Sequence, residues 1–109
     1  MGKDIAAVLG KLEAGRKPAL DRLFELIRIP SISTVPDNFA DCDRAADWCA
    51  RELSAIGFKA SVRKTPGRPM VVGTRRAKQA NRPHILFYGH YDVQPVDPVS
   101  LWSLSLIHI

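Results

Sequence analysis

One short stretch restricts the fold of this chain more than any other: the uninterrupted apolar run Ile85-Leu86-Phe87-Tyr88, opened by His84 and closed by Gly89. A half-exposed strand alternates apolar and polar residues. Consecutive apolar positions suit a strand covered on both faces, as in the central sheet of an α/β protein. The 109 residues allow one small domain to supply that cover and exclude a large enzyme within this length.

The residues upstream supply helices and a hairpin. From Lys17 to Ile29 the apolar residues Leu20, Leu23, Phe24 and Ile27 recur at spacings of three and four, which predicts an amphipathic helix whose stripe faces a core. Pro30 ends it, and Ser31 to Pro36 reads as a loop. Asp37 or Asn38 can cap a second helix carrying Ala45, Cys49, Leu53 and Ile56 on its core face, with Trp48 packing beside them and Gly57 as a left-handed stop. The period then becomes two: Phe58, Ala60 and Val62 alternate with Lys59, Ser61 and Arg63. The turn residues Pro66, Gly67 and Pro69 lead into Met70 to Thr74, a second strand predicted to pair antiparallel with the first.

Composition narrows the partners. Net charge is +5, concentrated where Lys59, Arg63, Lys64, Arg68, Arg75, Arg76, Lys78 and Arg82 follow one another with no acidic residue between them. Such a stretch can be an electrostatic footprint for nucleic acid. Here it has Phe58 as its one aromatic neighbour and a turn at its centre, so a hairpin with basic, solvated edges is preferred and no nucleic-acid partner is expected. No run is long and apolar enough for a membrane span, no secretory signal precedes the first helix, and a cytoplasmic location is expected. Cys42 and Cys49, seven apart in one helix, form neither a disulfide framework nor a C-x-x-C pair and are read as buried free thiols.

The candidate chemistry follows the apolar run directly, in Gly89-His90-Tyr91-Asp92. Ligands of open α/β sheets gather beyond the carboxyl ends of strands. Extended residues two apart point to one side, so the Asp92 carboxylate can accept a hydrogen bond from one nitrogen of His90 while the other faces a metal. Taken alone, His-x-Asp fits a structural histidine equally well. It also fits two legs of a non-haem iron triad, in which Asp92 would itself be a ligand. His84, six positions before His90, is too far along a strand to share a metal and is read as structural.

The string from Ile85 to Pro98 resembles the first metal motif of the zinc peptidases that include carboxypeptidase G, acetylornithine deacetylase, succinyl-diaminopimelate desuccinylase, aminoacylase and the carnosinase-type dipeptidases. Gly89-His90-Tyr91-Asp92 and Val93-Gln94-Pro95-Val96-Asp97-Pro98 are most similar to the dipeptidase branch. Leu26-Ile27-Arg28-Ile29-Pro30-Ser31-Ile32-Ser33 resembles the segment by which these enzymes leave their first helix. The resemblance implies that residues 1–102 are the amino-terminal portion of a three-layer α/β/α catalytic domain, with two helices, a hairpin and one buried strand. It implies His90 as a ligand of one zinc in a two-zinc centre and Asp92 as the catalytic-site residue that orients it. It further implies a cytoplasmic enzyme hydrolysing amide bonds of dipeptides or acylated amino acids, homodimeric at full length. The bridging aspartate, the Glu-Glu pair, the further acid and the distal histidine of that family have no counterpart in this sequence, so the chain alone is expected to be inactive. After Trp102 it departs from the family, and Ser103 to Ile109 resembles a translated vector or adapter tail, which makes His108 a poor ligand candidate. A basic, non-catalytic interaction domain is the alternative from outside enzymology.

Overall fold

The structure, a computed structural model, describes residues 2–79 and 81–102; the expected non-native tail at 103–109 lies outside the described residues. Helices α1 (Gly2–Ala14), α2 (Arg16–Ile27) and α3 (Phe39–Ala55) are followed by strands β1 (Lys59–Arg63) and β2 (Met70–Thr74), with 3-10 turns at Pro36–Asn38 and Val99–Leu101. The arrangement is mixed α/β, with a two-stranded antiparallel sheet among the described residues.

Its centre is the contact of α3 with the hairpin. Strand register runs from Lys59 opposite Thr74 to Arg63 opposite Met70, as the alternation expects. The turn is closed by Thr65, whose hydroxyl donates to the Arg68 carbonyl (2.7 Å) and accepts from the Gly67 N–H (3.1 Å). Cys42, Ala45 and Ala46 are fully buried on one face of α3. Their small side chains let the sheet come close, and a Cβ on Gly73 would sit 3.2 Å from Leu53 Cδ1. The buried stripe therefore lies nearer the start of α3 than expected: Cys49 and Leu53 are half-buried, and Ile56 at the helix end is exposed. Both thiols are free.

The end of α3 is locked in three ways. Gly57 takes φ +90°. Its N–H donates to the Ser54 carbonyl (2.9 Å) and the Phe58 N–H to the Leu53 carbonyl (3.0 Å), the paired bonds of a Schellman end. Arg75 Nη1 then donates to the Ile56 carbonyl at 3.0 Å, placing a cation where the helix dipole is negative. Gly57→Ala should cost about 1–2 kcal/mol, the penalty of a Cβ in the left-handed region. Amide exchange at Gly57 and Phe58, whose N–H groups make the helix-end bonds, should quicken by about 5- to 30-fold, and unchanged rates would contradict this account of the helix end. At the other end Asn38 occupies the N-cap position, but its side chain makes no cap bond to the backbone and instead donates to Asp41 Oδ2 (3.0 Å). Asp41 also receives the Arg44 guanidinium, and these two bonds hold its carboxyl below the usual range.

Three expectations are corrected. A helix precedes the predicted pair: Ile5, Val8, Leu9 and Leu12 have helical spacing, and α1 carries them exposed. The stripe of α2 forms but faces no core, since Leu20, Leu23, Phe24 and Ile27 are all exposed. Its links to α3 are polar: Trp48 Nε1 donates to Glu25 Oε2 (3.2 Å), and Arg22 lies 3.4 Å from Glu52. Finally, residues 84–88 form no strand, and Ile85, Leu86, Phe87 and Tyr88 are 75–92% exposed. A ladder needs a neighbour's N–H and C=O groups, and none runs alongside among the described residues.

Candidate functional site

Residues 86–92 form one wall of a groove of about 860 Å³ whose other walls are α3, through Trp48, Cys49 and Leu53, and β2, through Val71 to Gly73. His90 and Asp92 stand at this groove. Asp92 is about one-third exposed and His90 mostly exposed.

The position of this segment is set from the loop between α2 and the first 3-10 turn. Ser31 is buried; its hydroxyl donates to the Tyr91 carbonyl (2.8 Å) and its carbonyl accepts from the Val93 N–H (3.0 Å). Ile32 and Val93 make a parallel bridge. Ser33 then reaches the site itself, donating to Asp92 Oδ2 at 2.6 Å. On the other side, the Tyr91 hydroxyl donates to the Pro69 carbonyl, and burial pushes the Tyr91 phenol above its usual range.

His90 and Asp92 project together as the spacing predicts, with Nδ1 of His90 3.4 Å from Oδ1 of Asp92. The second ring nitrogen does not face open space. Nε2 lies 3.2 Å from the Tyr88 hydroxyl, and the two rings meet edge to face at 5.4 Å between centroids. Both carboxylate oxygens of Asp92 thus have partners, an arrangement suited to orienting an imidazole rather than to binding an ion directly. Among the described residues no group of three His, Cys, Asp or Glu side chains comes together. His84 is exposed rather than built into a strand.

The Ser33 hydroxyl bond is the main cause that lowers the Asp92 carboxyl, helped by backbone and imidazole contacts and opposed by burial. A lowered value means that the charged form favours the folded arrangement, so its contribution is full above the ordinary carboxylate range and is lost as pH falls through the lowered value. Acidification below about pH 4 should therefore loosen residues 31–33 from 91–93. Amide chemical shifts of Ile32 and Val93 should move together in that window; shifts unchanged through it would contradict the coupling.

Serines 31 and 33, Tyr88 and Tyr91 are the site features that pattern reading of the sequence did not single out. For the serines the signal was the Ser-x-Ser spacing, which places two hydroxyls on one side of an extended segment. The basic stretch is partly absorbed by the fold: Arg75 caps α3, and the Arg68 guanidinium lies 3.3 Å from the centre of the Phe39 ring.

No protein-family profile matches the chain. It is 26% identical over 92 residues to the cysteinylglycine-S-conjugate dipeptidase of Corynebacterium striatum. A relation to dipeptidases is what this likeness supports. The matched region is 84% of this chain and 20% of that protein, so the chain spans about a fifth of the length of the relative it matches. No solved structure matches. Among the described residues no helix is long and apolar enough to cross a membrane.

Proposed function

We propose that this chain is the amino-terminal portion of a zinc-dependent peptidase acting on dipeptides or acylated amino acids, with His90 as a metal ligand and Asp92 as the group that orients it. The observation that carries the reading is an exposed imidazole backed by a carboxylate, 3.4 Å apart, beside a groove. The dipeptidase likeness over 92 residues supports the same class and favours a small peptide as substrate.

The donor set fits one corner of a zinc site. Nε2 of His90 would hold the metal once the Tyr88 hydroxyl moves aside, with Asp92 keeping the proton on Nδ1. Bound zinc supplies an activated water and a polarised amide carbonyl. Among the described residues, Asp92 holds the imidazole and Ser33 holds Asp92. A general base and a bridging carboxylate would come from sequence beyond Trp102. A cytoplasmic homodimer is part of this proposal.

The reading frame that follows the Trp102 codon in the genome tests the proposal at least cost. A continuation that encodes a bridging aspartate and a Glu-Glu pair supports it; a continuation without them overturns it. On the protein so encoded, hydrolysis of cysteinylglycine that is lost on chelation and restored by zinc is the expected result.

A further inference from the structure

We propose that Ser33 is a positioning residue whose hydroxyl fixes the Asp92 carboxylate so that Asp92 selects which nitrogen of His90 carries the proton. A neutral imidazole has one N–H and one acceptor nitrogen. Rotation about the bond to a carboxylate is soft, and an aspartate that is one-third exposed has no fixed orientation of its own. In this chain Oδ2 is held by Ser33 at 2.6 Å, which leaves Oδ1 facing Nδ1 of His90 at 3.4 Å. A carboxylate facing Nδ1 stabilises the Nδ1–H form, so Nε2 presents its lone pair toward the Tyr88 hydroxyl 3.2 Å away, which can then donate to it.

Ser33 can do this because its neighbours are anchored independently of it. Buried Ser31 bonds both Tyr91 and Val93, and Ile32 bridges Val93, so the hydroxyl of Ser33 is delivered to the carboxylate by the register of its own segment. The consequence for a metal at Nε2 rests on the zinc reading above; the choice of tautomer does not.

The test uses the 109-residue chain without metal, with the exposed Leu86 and Phe87 replaced by lysine throughout so that it stays monomeric. Two-bond proton–nitrogen spectra, with the His90 ring assigned by its loss in His90→Gln, give the ratio of the two neutral forms in mildly alkaline buffer. Ser33→Thr and Ser33→Val have the same shape and differ in the hydroxyl. Threonine should keep the predominance of Nδ1–H, and valine should reduce the ratio by about threefold or more, the scale of one lost hydrogen bond. Equal ratios in the two variants overturn the proposal. So does a wild-type ring that is mainly Nε2–H. Zinc content of the longer protein reads the metal assignment separately: a content undiminished by His90→Ala removes that assignment while the tautomer ratio still decides the role of Ser33.

Discussion

Replacing His90 by alanine in the longer protein should lower zinc-dependent dipeptide hydrolysis by more than about 100-fold, and Asp92→Asn should lower it by about 10- to 100-fold, the usual scale for a group that orients a ligand. The inequality follows from the geometry. His90→Ala removes the imidazole itself, whereas Asp92→Asn leaves it and removes the charge 3.4 Å behind it. Asparagine can still accept the Ser33 hydrogen bond through its amide oxygen. Metal content measured on the purified variants, beside kcat/KM, locates the loss. Equal losses would make Asp92 a ligand in its own right, as in the iron-site alternative, and an undiminished His90→Ala enzyme would remove the site assignment altogether. Hydrolysis by the 109-residue chain alone, above a metal-free blank, would overturn the expectation that it lacks the water-activating base.

The second large effect concerns association. At roughly micromolar concentration the isolated chain should self-associate and melt without a sharp transition, because uncovered apolar surface and unpaired backbone invite intermolecular contact. Leu86 and Phe87, at 92% and 87% exposure, are the residues through which this should be most easily relieved. Sedimentation of the Leu86→Lys, Phe87→Lys double variant should shift clearly toward monomer. A wild-type chain that sediments as a monomer and melts in one cooperative step would contradict it.

These exposures explain which parts of the fold could be read from sequence. The hairpin and α3 were legible because their determinants are local: a period of two leading into a turn that holds Pro66, Gly67 and Pro69, and a helix stripe ended by Gly57. The stripe of α2 was legible as a helix, but its burial was not, since periodicity reports which residues share a face and never what lies opposite. The run at Ile85 to Tyr88 makes the same distinction more sharply. Its composition specifies a strand with two covered faces, and the structure leaves it without a ladder partner among the described residues. At the site, the His90–Asp92 pairing was legible from a spacing of two. The Ser33 bond was not, because it joins residues 59 positions apart and depends on how α3 and the hairpin fold back between them.

That separation also orders events in time. The bonds from Ser31 and Ser33 to residues 91–93 close a loop of about sixty residues, and closing such a loop costs roughly 3–4 kcal/mol of chain entropy beyond a constant. Two side-chain bonds and the one backbone bond of the bridge offset about 1 kcal/mol each, so the closure is nearly balanced on its own and depends on α3 and the hairpin having already drawn its ends together. Helix and hairpin contacts are short in sequence and form early. The histidine therefore acquires its orientation last as the chain folds, and loses it first when the chain is stressed.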